Sequence, residues 1–149
     1  MARDGCGRIQ ALEAESGGTV VSGGLRVLVV DDTKDVADTC SMLIELSGHE
    51  VRSAYTGNRA LEIAEAFCPQ VILCDISLPD IDGYELAQRI RATHWGRDVV
   101  LVAITGWGEE DRKARSLAVG FSHHLTKPID PETIESLLES IAAVQSSML

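Results

Sequence analysis

The sequence predicts an α/β fold: a five-stranded parallel sheet covered by helices on both faces. Three observations carry that expectation. Short runs over residues 25–30, 71–74 and 99–104 are apolar at nearly every position, as strands buried on both faces of a parallel sheet are. Between the strands lie segments whose apolar residues recur at helical spacing. Strand and helix alternate strictly through five βα units, and right-handed crossovers then wind the helices onto both faces of one sheet.

The elements follow in order. Residues 1–24 lack a sustained apolar period and carry Gly17-Gly18 and Gly23-Gly24. They read as a flexible tail or linker before a domain over 25–145, with 146–149 as a short C-terminal tail. The first strand, Leu25-Arg-Val-Leu-Val-Val30, runs into Asp31-Asp32. A helix with Val36, Cys40, Leu43 and Ile44 on one face follows, and Gly48 stops it. Residues 50–54 alternate with polar side chains, which suits a sheet edge. The second helix spans 57–67, with Ala60, Leu61, Ala64 and Phe67 on one face, and Pro69 ends it. The third strand, Val71-Ile-Leu-Cys-Asp75, takes four apolar residues straight into a carboxylate. Asp82-Gly83 opens a third helix that turns Leu86, Ala87 and Ile90 inward. The fourth strand spans 98–104 and ends in Thr105-Gly106. A fourth helix is expected over 109–119, acidic at its start and basic later, with Gly120 as its stop. The fifth strand, over 121–126, leads into Lys127-Pro128. Asp130-Pro131-Glu132 starts a fifth helix, a capping Asp before Pro at the first helical position, lined by Ile134, Leu137, Leu138 and Ile141. Of the two common doubly wound strand orders, the flavodoxin-like 2-1-3-4-5 fits the count.

Composition bounds the function. A chain of 149 residues, 45% hydrophobic and 24% charged, makes one ordinary globular domain. A net charge of −10 argues against gripping nucleic acid or an anionic membrane. No apolar run approaches the ~20 residues of a membrane span, and the N-terminus has no signal-like apolar stretch. Cys6, Cys40, Cys68 and Cys74 form no C-x-x-C pair and have no histidine partners at zinc spacing. Free thiols in a reducing cytoplasm are the expectation.

In open α/β sheets, ligands bind outside the carboxyl ends of the strands. Here those ends carry Asp31 and Asp32, Asp75, Thr105 and Lys127. Two like charges ~4 Å apart repel by about 4 kcal/mol at an effective dielectric near 20. Three carboxylates in one crevice therefore call for a cation, and an all-oxygen site with spare positions suits Mg²⁺. One nucleophilic carboxylate, one divalent metal and one lysine are the parts for phosphoryl transfer onto Asp75. Thr105 can donate its hydroxyl to the phosphoryl group, and Gly106 beside it leaves room.

The segments Val-Val-Asp31-Asp32, Asp75-Ile-Ser-Leu-Pro79-Asp-Ile-Asp82-Gly83, Ala103-Ile-Thr105-Gly106 and Lys127-Pro128 together resemble the response-regulator receiver domain of two-component signalling, the fold shared with the chemotaxis receiver. The resemblance covers about four-fifths of the chain, residues 25–143. It implies that Asp75 takes a phosphoryl group from a histidine kinase or histidine phosphotransfer protein in a phosphorelay. It implies Mg²⁺ held by Asp32, Asp75 and the backbone carbonyl of Ser77, with Asp31 assisting through water. Thr105 would be the switch hydroxyl and Lys127 the phosphate-binding amine, with a cis Lys127–Pro128 bond aiming the lysine. The chain would then be a signalling receiver and not an enzyme, beyond assisting its own phosphoryl transfer and slow dephosphorylation.

Two positions depart from that pattern. His124 stands three residues before the lysine, where the family has Tyr or Phe as a rotating switch. It is either a surface imidazole or a switch of altered character. Ser77 and Trp107 occupy the positions that tune phosphoryl lifetime. Trp107, in a Gly-Trp-Gly loop, either shields the site from water or anchors a partner. A haloacid-dehalogenase-type phosphatase would need an acid where Ser77 stands. A flavodoxin-like flavin site would need a phosphate-binding first loop, which Asp31-Asp32 would repel. A phosphorylation-independent docking module remains the alternative, with a small Mg²⁺-dependent phosphatase behind it. With no segment for an output domain after the fifth helix, the expected forms are a stand-alone receiver or the C-terminal receiver of a hybrid kinase. In both, the signal would leave through the face of the fourth helix, fifth strand and fifth helix, docking a downstream protein.

Overall fold

A computed structural model of the chain describes residues 24–106, 120–127 and 129–147, the last three by backbone alone. Its five strands are β1 (Arg26–Val30), β2 (Glu50–Ala54), β3 (Val71–Asp75), β4 (Val100–Thr105) and β5 (His123–Thr126). All pairs are parallel, in the order β2-β1-β3-β4-β5. The described helices are α1 (Lys34–Leu46), α2 (Gly57–Phe67), α3 (Gly83–Arg91) and α4 (Pro131–Ser147). The helix expected over 109–119 lies outside the described residues, as does all of the expected N-terminal tail except Gly24, so α4 is the fifth helix of the sequence reading.

The period-two alternation of the strands sorts the core into two layers. Leu28, Ile72 and Leu101 face one way, toward Ala60 and Ala64 of α2 and Leu86, Ala87 and Ile90 of α3. Val27, Val29, Leu73 and Val102 face the other way, toward Ala37, Cys40 and Ile44 of α1 and Ile134, Leu138 and Ile141 of α4. β3 is buried at every position because helices cover both of its faces. Edge strand β2 alternates exposed and half-buried residues up to its buried end at Ala54, as its polar alternation predicts. Each fully buried Leu or Ile side chain contributes roughly 1.5–3 kcal/mol of transfer free energy.

The caps explain where the helices start and stop. Thr56 accepts the Arg59 N–H at 3.1 Å to begin α2, and Asp82 accepts that of Glu85 at 2.9 Å to begin α3. Asp130 accepts the Glu132 N–H at 3.1 Å, with Pro131 at the first helical position of α4. Gly48 (φ 97°) lies just beyond α1 in the left-handed region that glycine adopts without strain. β5 begins at His123 rather than at 121, although Phe121 is buried. One thiol expectation is corrected: Cys40 and Cys74 are free, but Cys68 is disulfide-bonded. A disulfide needs only a short distance in space between its cysteines, so sequence spacing could not rule it out.

Candidate functional site

The site is assembled from strand ends. β1 and β3 are neighbours in the sheet, so Asp31, one residue past β1, and Asp75, the last of β3, open onto one crevice. Both are buried, at 1% and 5% exposure, while Asp32 is exposed. Ligand oxygens of Asp31, Asp32 and Asp75 all lie within 4.8 Å of one another. Local turns hold the two buried carboxylates: Asp31 Oδ1 accepts the Thr33 N–H, and Asp75 Oδ1 the Ser77 N–H, each at 2.9 Å. Gly83 permits the close packing behind them, because a Cβ there would stand 2.7 Å from Ile76 Cα and 3.0 Å from the Asp75 carbonyl oxygen.

Lys127, just past β5, reaches across the crevice. Its Nζ lies 3.1 Å from Asp75 Oδ2 and 3.2 Å from Asp31 Oδ2. The contact with Asp75 is an aligned hydrogen bond. That with Asp31 is an ion pair without hydrogen-bond alignment, so the buried Asp31 Oδ2 has no hydrogen-bond partner. Burial raises the Asp75 carboxyl above its ordinary value. The Ser77 N–H and Lys127 pull it back, and Asp31 pushes it further up. Burial works against the Lys127 ammonium, but Asp75 and Asp31 more than offset it, so that group also titrates above its ordinary value. The two shifts differ in meaning: one ammonium gains from two carboxylates, and the carboxylates stay under-compensated. Three carboxylates against one ammonium leave about two negative charges in the crevice. A divalent cation with oxygen ligands fits that deficit and the Asp31 oxygen that has an ion pair but no aligned hydrogen bond.

Thr105, at the end of β4, is 2% exposed. Its Oγ1 lies 3.1 Å from His124 Nε2 of β5. His124 is half-buried, and its ring lies against the Thr105 hydroxyl. The carbonyl of Thr105 also accepts the Lys127 N–H at 2.8 Å, which ties the two strand ends together. Gly106 follows, half-buried, and Ser77 is exposed beside Asp75. Trp107 and Pro128 lie outside the described residues. The sequence reading missed Asp80. Its two carboxylate oxygens accept the N–H groups of Gly57 and Asn58, each at 2.8 Å, at the start of α2. No local signal could have found a cap that comes from 22 residues away.

Parallel strands in this order, with paired acids, a hydroxyl and an ammonium at their carboxyl ends, define a signalling receiver fold. Residues 27–139 match the response regulator receiver domain family, and the chain belongs to it. An uncharacterized 14.6 kDa protein of Leptolyngbya boryana is 34% identical over 83% of this chain and 89% of its own. Regulatory protein VanRc of Enterococcus gallinarum is 32% identical over 83% of this chain, which spans about half (49%) of that relative. The chemotaxis response regulator CheY4 of Vibrio cholerae superposes with a TM-score of 0.74 at 28% identity, over 79% of this chain and 98% of that one. Such domains are the receiving modules of two-component systems. They bind Mg²⁺ at an acidic pocket and interact with histidine kinases and downstream effectors. Among the described residues, no helix is long and apolar enough to cross a membrane.

Proposed function

We propose that this domain takes a phosphoryl group from a phosphohistidine onto Asp75 and uses the resulting charge to change what docks on it. The supporting observation is the position of the Asp75 carboxylate. It is buried at the end of the central strand, with Oδ1 on the Ser77 N–H and Oδ2 3.1 Å from Lys127. A carboxylate oxygen of Asp75 attacks phosphorus, the P–N bond of the donor breaks, and the imidazole leaves with that electron pair. An acyl phosphate results. Asp32, Asp75 and the Ser77 carbonyl, with Asp31 assisting through water, would hold Mg²⁺, which would supply charge neutralisation of the phosphoryl oxygens. Lys127 shifts from pairing with Asp75 to pairing with the phosphoryl group. Thr105 turns its hydroxyl from His124 toward the same group. That movement passes to β5 through His124 and to the side of the sheet that β5 shares with α4, where a downstream protein docks. The phosphodonor is a histidine kinase or a histidine phosphotransfer protein, and the domain does its work in the cytoplasm.

Incubation with Mg²⁺ and acetyl phosphate, followed by intact-mass measurement, tests this directly. One added phosphoryl group is expected. It is lost in Asp75→Ala and when the metal is chelated. No added mass on the wild-type protein would overturn the proposal in favour of a docking module that works unphosphorylated.

A further inference from the structure

The loop between β3 and α3 carries Ser77 and has to hold its backbone beside Asp75. At its base, the Gly83 N–H donates to the Ile76 carbonyl at 2.8 Å, and Ser77 N–H bonds to Asp75. Its far side is anchored elsewhere. Asp80 Oδ1 accepts the Gly57 N–H and Oδ2 the Asn58 N–H, so the loop caps a helix 22 and 23 residues earlier in the chain. These are the first two N–H groups of α2, which have no partner within the helix. Thr56 covers the Arg59 N–H of the same turn, so the start of α2 is shared between a local cap and a borrowed one. Burial works against the Asp80 charge, but the N–H groups of Asn58, Gly57 and Ile81 outweigh it and hold the carboxyl below its ordinary value. The fit is close: a Cβ on Gly57 would stand 2.2 Å from Ile81 Cγ1.

We propose that Asp80 is a positioning residue for the metal site, its two-pronged grip on the start of α2 setting where the Ser77 backbone lies relative to Asp75. This rests on the reading above that Ser77 and Asp75 contribute to Mg²⁺ binding. Asp80 touches neither the metal nor the phosphoryl group. It acts by removing freedom from the segment that presents a ligand, as partners behind a ligand do in other metal sites. A loop released at Asp80 keeps its base bonds but spreads the Ser77 carbonyl over many positions, so affinity falls while the carboxylates stay in place.

The test titrates Mg²⁺ into the ¹⁵N-labelled full chain and follows the Ser77 amide resonance. Asp80→Ala is compared with Thr56→Ala, which removes the local cap of the same helix start and leaves both Asp80 bonds in place. Asp80→Ala is expected to raise the half-saturating Mg²⁺ concentration about tenfold. Asp80→Asn, which keeps one oxygen, is expected to raise it less and carries the test if Asp80→Ala does not fold. Thr56→Ala is expected to keep the wild-type value. In the absence of metal, amide exchange over residues 76–82 should quicken in the Asp80 variants alone. Equal rises in all three variants would overturn the proposal, since α2 stability would then be the cause. So would unchanged Mg²⁺ affinity in the Asp80 variants. A wild-type protein that binds Mg²⁺ but takes no phosphoryl group from acetyl phosphate would sink the receiver chemistry alone, and Asp80 would still be judged by the binding comparison.

Discussion

The two ends of the sheet are built on opposite principles. At the amino ends, polar groups meet neutral or well-matched partners. The Leu25 N–H donates to His49 Nδ1 at 3.0 Å, and the Arg26 N–H to Gln70 Oε1 at 2.9 Å. The Arg91 guanidinium, at the end of α3, gathers the carbonyls of Gly96 (2.8 Å), Val99 (2.5 Å) and Gly120 (2.6 Å) where β4 and β5 begin. At the carboxyl ends, three carboxylates crowd one lysine, and a buried Asp31 oxygen goes without a hydrogen bond. One end satisfies its polar groups and holds the sheet together. The other leaves charge uncompensated, which weakens the isolated domain but readies it for a cation and a phosphoryl group.

Arg91→Met should have the largest effect. It leaves several half-buried carbonyls without a donor, and charge-assisted bonds of this kind contribute about 1.5–3 kcal/mol each before relaxation. A loss of about 3 kcal/mol is expected in urea unfolding at neutral pH, with Mg²⁺ affinity unchanged. A shift in Mg²⁺ affinity would show that the two ends are coupled and break the contrast.

The ends should also answer pH in opposite directions. Burial holds the His49 imidazole below its ordinary value, with Glu139 partly offsetting it. The neutral ring accepts the Leu25 N–H. An unfolded histidine takes its proton near pH 6.5, before the folded one does, so stability is full above that pH and falls as pH drops below it. His49→Gln should lose about 1 kcal/mol at pH 7 and show less decline toward pH 5.5 than the wild type, read from urea midpoints at both pH values. An unchanged decline would place the titrating group elsewhere.

The smallest effect is expected at Asp75. Its folded carboxyl titrates above its ordinary value, mainly through burial, so the folded state binds this proton more tightly than the unfolded chain. Its contribution is therefore a penalty that grows as pH rises through the carboxylate range and is fully present at neutrality. In EDTA at pH 7, Asp75→Asn should raise the thermal midpoint by about 2–4 °C. Added Mg²⁺ should raise the wild type more than the variant. A variant less stable than the wild type in EDTA would mean that the Lys127 pair outweighs the burial of the charge.

Much of this was legible before the fold was known, because it depends on what sits at the end of each apolar run. Val71 to Cys74 must be buried, so Asp75 must lie where the strand leaves the core. The same holds for Asp31 after β1 and Thr105 at the end of β4. Asp130-Pro131 marked a helix start because capping is local chemistry. His124 was less legible. Its neighbour in sequence says little, and its contact is Thr105 across the β4–β5 pairing.

By itself the sequence determined the carboxyl ends of the strands, the starts of α2, α3 and α4, the sheet order and hence the acids, hydroxyl and lysine that share a crevice. These follow from apolar period and turn chemistry, which act over a few residues. Only the tertiary structure decided that Lys127 hydrogen-bonds Asp75 while its ion pair with Asp31 leaves that oxygen without a hydrogen bond, that Thr105 meets His124, that Arg91 binds the segments leading into two strands, and that Asp80 caps α2. Each depends on where two distant segments come to rest, and a hydrogen bond a few ångströms long registers placement that no sequence period encodes.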